Sequence, residues 1–399
     1  MTATAHVDTF ARDNLPPREQ WPHLIFDLPH LHYPARLNAA DELLDRALER
    51  GFAERTAIVA PSGLRWTYAE LLQQANRIAR VLVEDLGVVP GNRVLLRAPN
   101  TPLIAACWFA VLKAGAIAVP TMPLLRAKEL TDVIVKAEVS HALCDVRLAA
   151  ELDKARAACP SLRTVAWCAT DAADGLEALA RGKPPSLDNV RTAAEDTAVI
   201  AFTSGTTGKP KGTMHFHRDL LAACDCWPRA ILRATADDLF TGSPPLAFTF
   251  GLGGLLLFPL RIGAATLLLE KPAPDALLAA IAEHKASVLF TAAARSAHAA
   301  QVRVGRRSAA RRNSGAVENG NRHRDHRRHR LDRAVSYFHF ARRSARASRG
   351  DGPPRSGIHR LRHGRHRPAG ACRRRGAARG EGPDGLPLPR RSAADAICE

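Results

Sequence analysis

Three glycines, four hydroxyls and two lysines fall within ten residues, Thr203-Ser204-Gly205-Thr206-Thr207-Gly208-Lys209-Pro210-Lys211-Gly212. Glycine lets backbone N–H groups close on an anion. Hydroxyls and ammonium groups add donors without bulk. That set suits the phosphates of a nucleotide. The preceding run, Thr197 to Phe202, is short and apolar and reads as a buried strand. A strand leading into a Gly/Ser/Thr/Lys loop is the layout of a phosphate cradle. A Walker loop is excluded, because Pro210 follows Lys209 where Ser or Thr is required. The plain alternative is a flexible surface turn, and ten specified positions weigh against it.

The elements that must position this loop alternate between strands and helices. Thr56 to Val59, Arg93 to Leu96, Ala116 to Val119, His141 to Cys144 and Thr164 to Trp167 read as strands. So do residues 197–202, Ala265 to Leu269 and Ser287 to Thr291. Helices are expected at Asn38 to Arg50, capped by Asn38 or Asp41, and at Tyr68 to Leu86, Leu103 to Lys113 and Pro274 to His284. The alternation predicts an α/β fold with mainly parallel sheets covered by helices. Four units follow: an extended arm at 1–45, a first α/β subdomain at 46–175, a second, incomplete one carrying the loop at 176–295, and a region at 296–399 that is not a domain. Residues 171–193 read as a linker. Leu252 to Leu260 is too short to span a bilayer and reads as buried core.

Charge divides the chain sharply. Residues 301–399 contain 26 Arg, no Lys and eight acidic residues, a net +18 that equals the charge of the whole chain. The first 300 residues therefore balance at zero. A basic stripe ordinarily suggests nucleic acid or an acidic membrane. Arg, Ala, Gly, Pro and His without Lys is also what a GC-rich gene yields out of frame. The only aromatics in this region, Tyr337, Phe338 and Phe340, form one cluster, which supports base stacking weakly. The eight cysteines contain no C-x-x-C, and Cys224-Asp225-Cys226 lacks partners at zinc spacing. They are expected to be reduced thiols of a cytoplasmic protein. The N-terminus lacks the basic and apolar regions of a secretory signal.

The decapeptide resembles the phosphate-loop signature of the AMP-forming adenylating enzymes, which include acyl- and aryl-CoA synthetases. Trp66-Thr67-Tyr68-Ala69-Glu70-Leu71 is similar to an early segment of that superfamily, and Leu112 to Pro120 to its L-K-A-G-A segment. Pro245 to Gly253 resembles the aromatic segment that lines the acid pocket. The stretch Asp8 to Pro17, continued to Leu44, is most like benzoate- and 2-aminobenzoate-CoA ligases. The likeness runs to about residue 295. It implies the large N-terminal domain of an adenylating enzyme, in which an aromatic carboxylate reacts with ATP to give acyl-AMP and then with coenzyme A to give acyl-CoA. ATP, Mg²⁺ and coenzyme A are the implied cofactors. Thr203, Ser204, Gly205, Thr206, Thr207 and Gly208 would wrap phosphates, and Lys209 and Lys211 would screen them. Thr249, Phe250, Gly251 and Gly253 would face a flat acyl group, for which plain core packing is the alternative. His215 would orient an anion or border that pocket, or serve as a core or helix-start histidine. Arg97-Ala98-Pro99-Asn100 reads as structural turn chemistry.

The resemblance also gives the Arg-rich region a test. If each codon there begins on the third base of a true codon, Arg322 to Arg333 permits Ile-Glu-Ile-Ile-Asp-Gly-Ile-Gly-Ser-Thr-Glu, which resembles the superfamily's Thr-Glu signature. In the same register, Asp351 to Ile358 and Glu381 to Pro389 permit later ligase-like segments in the right order. The expectation is a frameshift near 292–300 and a premature end at Glu399. The metal-holding carboxylate would then fall where Arg333 stands, and no counterpart of the ribose-binding Asp or the small C-terminal domain would remain. Such a chain is expected to be poorly soluble and without turnover. The alternatives are another acyl-CoA synthetase or amino-acid adenylating domain, a remnant that binds ATP or acid without turnover, and a nucleic-acid-binding protein with an Arg-rich arm.

Overall fold

In the computed structural model, residues 3–203, 210–292 and 299–303 are described. They form two six-stranded sheets with helices packed on them. The first sheet contains β3 (Arg93–Arg97), β4 (Ile117–Thr121), β5 (His141–Asp145), β6 (Thr164–Cys168), β7 (Thr197–Thr203) and β8 (Lys211–Phe216), in the order β6-β5-β3-β4-β7-β8. All neighbours are parallel except the edge strand β8, which runs antiparallel to β7. The second contains β1 (Thr56–Val59), β2 (Arg65–Thr67), β9 (Leu239–Gly242), β10 (Ala265–Leu267), β11 (Val288–Ala292) and β12 (Ala299–Arg303), in the order β12-β11-β9-β10-β1-β2. Its inner four strands are parallel and its two edges antiparallel.

Inner strands β3, β4 and β5 are buried at every position. This explains why they read as continuous apolar runs with no alternation. Sheet membership does not follow the expected boundary at 175/176. β1 and β2 join β9 to β11, and β7 and β8 complete the sheet begun by β3 to β6. Parallel neighbours are linked by crossovers, so strand order along the chain does not determine which sheet a strand joins. The stretch 171–193, read as a linker, also contains the helix Leu176–Arg181.

Several motif residues have identifiable structural work. Thr67 and Glu70 form a reciprocal capping box at the start of helix Tyr68–Arg80, with Glu70 N–H donating to Thr67 Oγ1 at 3.1 Å and Thr67 N–H to Glu70 Oε2 at 2.8 Å. Asn38 caps its helix as expected, its Oδ1 accepting from Ala40 N–H at 3.0 Å. Lys113 is fully buried, with Nζ donating to both Asp45 oxygens at 2.8 and 2.6 Å. Gly115 follows with φ +70°, and a Cβ there would lie 2.7 Å from Val190. The left-handed turn and the close approach both require glycine. The N-terminal arm lies against the domain, burying His6, Ala11 and Leu31.

Candidate functional site

The ten-residue segment spans the free end of the β7–β8 hairpin. β7 forms from a β-branched apolar run, and its first five residues are buried between β4 and β8. Thr203 and Lys211 are direct partners across the hairpin. Ser204, Gly205, Thr206, Thr207, Gly208 and Lys209 lie outside the described residues. The described ends thus place the backbones of a threonine and a lysine about one interstrand spacing apart.

Side chains alternate across a strand, which sorts β8 into two faces. Gly212, Met214 and Phe216 share one. Met214 packs on a cluster that includes Leu95, Val119 and Ile200, and a Cβ at Gly212 would sit 3.1 Å from Ile200 and 3.3 Å from the Phe202 ring. Lys211, Thr213 and His215 share the other, opposite Thr203, Ala201 and Val199 of β7. Val199 and Ala201 belong to the main core cluster, which also contains Leu246, Leu252 and Phe290. The hairpin therefore presents Thr203, Lys211, Thr213 and His215 on the face that carries the 246–260 segment.

Thr213 Oγ1 lies 3.2 Å from His215 Nε2 and donates to Ala201 O at 3.0 Å. Burial pushes the His215 pKa below its ordinary value, with Asp219 opposing. His215 is thus a strand residue whose neutral form burial favours. It neither begins a helix nor joins the fully buried core. The helix starts at His217, which is wholly buried.

Thr249, Phe250, Gly251 and Leu252 form a short helical turn that continues through a wide turn, Gly253–Leu257. Phe250 is half-buried, its ring 5.5 Å from that of Phe290. Phe290 also contacts Phe240, Phe258 and Trp227, so Phe250 closes a five-ring aromatic cluster. The two glycines face the protein itself. A Cβ at Gly251 would lie 2.1 Å from Pro245 O, and one at Gly253 would lie 2.8 Å from the Phe258 ring. Close internal packing accounts for both, in place of the expected clearance for a ligand ring.

A cavity at the C-terminal ends of β3 and β4 is lined by Leu96, Ile104, Trp108, Thr121, Leu246 and Ala247, among others. The space is about large enough for one water. Trp108 is 2 % exposed, and its indole N–H finds no acceptor among the described residues. Asn100 ties this region to the 244–246 loop by donating to Pro244 O at 3.0 Å and accepting from Leu246 N–H at 2.8 Å. Buried Arg97 donates to the carbonyls of Met122, Pro123 and Leu125. Arg97 is thus the buried last residue of β3 and not part of a turn, while Asn100 serves the structural role expected of 97–100. Trp108 and Thr121 were not singled out from sequence, because an apolar helix and a buried strand carry no local mark of a cavity between them.

No group of three or more His, Cys, Asp or Glu side chains that could hold a metal occurs among the described residues, including the Cys224–Cys226 segment. The donors at the hairpin end suit anionic oxygen instead. No helix among the described residues is long and apolar enough to cross a membrane.

Comparison with known proteins adds a family match, two relatives and two solved structures. The family model "AMP-binding enzyme" matches residues 44–337, beginning later and ending later than the motif likeness. Benzoate–CoA ligase of Thauera aromatica is 28% identical over 263 residues, covering 66% of this chain and 50% of the ligase. Anthranilate–CoA ligase of Pseudomonas aeruginosa is 30% identical over 224 residues, covering 55% and 41%. Among solved structures, the anthranilate CoA ligase AuaEII in complex with anthranoyl-AMP aligns with a TM-score of 0.62 at 26% identity, covering 66% of this chain and 50% of that one. A benzoate CoA ligase from Burkholderia xenovorans LB400 aligns at 0.57 and 28%, covering 63% and 49%. The chain spans about half the length of these relatives.

Proposed function

Because the chain belongs to the AMP-binding enzyme family, we propose that it derives from an AMP-forming ligase that activates an aromatic carboxylic acid of the benzoate or 2-aminobenzoate type. In that reaction the carboxylate attacks the α-phosphorus of ATP, pyrophosphate leaves, and acyl-AMP forms. The coenzyme A thiol then attacks the acyl carbon, AMP leaves, and acyl-CoA forms. The observation that carries the reading is the hairpin end, with Thr203 and Lys211 paired across it at the limits of a glycine- and hydroxyl-rich segment. Two anions must meet in the first step, and fixed cations and donors lower that barrier. Thr203 and Lys211, with residues 204–209 between them, are the proposed phosphate ligands. His215 and Phe250 are proposed to border the acid pocket, and Thr249, Gly251 and Gly253 to shape the turn that presents Phe250. The relatives named for benzoate and anthranilate support an aromatic acid. A cytoplasmic location is part of the same proposal.

The chain as written is proposed to lack turnover. The region beyond about 296 reads as a shifted frame, in which Arg333 stands where a metal-binding carboxylate would be encoded. A pyrophosphate-release assay over aryl, fatty and amino acids tests both parts. The chain as written should release none. A protein translated from the restored frame should release pyrophosphate with benzoate or 2-aminobenzoate. A restored protein that is silent with aryl acids, or active only with fatty or amino acids, would overturn the assignment.

A further inference from the structure

We propose that the N-terminal arm, through Asp196, positions the phosphate-loop hairpin, making Asp196 and Thr4 positioning residues for nucleotide binding; this rests on the phosphate reading of the hairpin. Among the described residues β8 is an edge strand, paired in the sheet with β7 alone. The orientation of the hairpin end then depends on how its root is held. That root is closed by His217 N–H, just after β8, donating to Asp196 O, just before β7, at 3.2 Å.

The arm binds this root. Asp196 is buried, and its carboxylate accepts from Thr4 Oγ1, from Ala5 N–H at 3.0 Å and from Ala193 N–H at 2.8 Å. Hydrogen bonds to an ionised acceptor are among the stronger ones. On either side, Glu195 pairs with Arg18 of the arm at 3.2 Å and with Arg218 at 2.7 Å. Trp21 of the arm lies over Phe216, the last residue of β8, with ring centroids 5.2 Å apart. Ala39 N–H donates to His217 Nδ1 at 3.1 Å. Residues 195, 196, 216 and 217, which bracket the two strands, are thus all bound by residues 4–39. Side chains that fix a binding element without touching the ligand alter affinity through geometry.

The test titrates the full chain with N-methylanthraniloyl-ATP and, separately, with 2-aminobenzoate, both read by fluorescence. Thr4→Val and Asp196→Asn should weaken nucleotide binding roughly tenfold, the scale of one strong hydrogen bond. Binding of 2-aminobenzoate should change less than about twofold on the same scale. Thr4→Ser, which keeps the hydroxyl, should restore the wild-type value. Equal nucleotide affinity in all variants would overturn the positioning role alone. A parallel loss of both ligands, unrescued by Thr4→Ser, would reduce the contact to general stability and also overturn it. A wild-type chain that binds no nucleotide would remove the phosphate reading, and the positioning role with it.

Discussion

Thr203 and Lys211 face each other as the last register pair of the β7–β8 hairpin. Opposed residues point to the same side of a sheet. A hydroxyl and an ammonium group are therefore delivered to one side, together with Thr213 and His215. The same register turns Met214 and Gly212 toward the helix-covered core. A one-residue slip would exchange the two sets and bury the lysine.

Phe290 fills the centre of the aromatic cluster and is 2 % exposed. Phe290→Ala should destabilise the fold by about 3–5 kcal/mol, the usual cost of truncating a buried aromatic. Gly254→Ala should also destabilise, by about 1–3 kcal/mol, because its Cβ would lie 2.2 Å from the Phe290 ring. Urea unfolding followed by tryptophan fluorescence measures both. A change below about 1 kcal/mol for Phe290→Ala would show that the cluster is not packed as described.

Lys113 of the L-K-A-G segment is fully buried and pairs with Asp45, a partly buried residue of the helical segment Asp41–Asp45. Asp45→Ala leaves the ammonium group buried and uncompensated, and should cost about 3–5 kcal/mol. The double change Asp45→Leu, Lys113→Met should cost markedly less, because no charge is stranded. Chemical denaturation of the three chains checks the order. Equal losses in the single and double variants would contradict it.

His217 is wholly buried, accepts Ala39 N–H at Nδ1, and has a pKa lowered to about 3, chiefly by burial and also by His6. The unfolded chain has the ordinary histidine value near 6.5. The unfolded state therefore binds the proton more readily, and stability falls as pH drops. The contribution is complete above about pH 6.5 and is lost progressively toward about 3. Substituting His217 with Gln should flatten the decline in melting temperature over the upper part of that window. An unchanged pH profile would show that His217 does not set it.

Strand and helix positions were largely readable because inner strands are continuous apolar runs and helices carry their caps. Thr56 to Val59 and Pro274 to His284 coincide with the observed elements. β2, β8, β9 and β12 were not anticipated, the last lying in the region read as no domain. Each is three to six residues long, and β8 mixes Lys, Gly, Thr and His in a pattern that suggests a loop. The phosphate segment was recognisable because backbone and cation requirements confine it to few residue types. The acid-side reading was weaker, since Gly251 and Gly253 satisfy internal packing. The arm's grip on Asp196 spans about 190 residues of sequence, and nothing local in either segment marks it.

The Arg-rich region yields a prediction at the level of the gene. Coding DNA across codons 285–305 should show a one-base shift relative to a frame that stays open downstream and encodes the three ligase-like segments. A downstream alternative frame broken by stops and lacking those segments would contradict it. The basic region would then be an arm whose nucleic-acid binding should weaken steeply with salt.

Isothermal titration of ATP into the full chain tests the central claim most directly. The account predicts saturable binding at one site, abolished or weakened at least about tenfold when Lys209 and Lys211 are both changed to Ala, with the fold retained by circular dichroism. Absence of ATP binding, or equal binding by the double variant, would contradict the assignment of this hairpin to nucleotide phosphate.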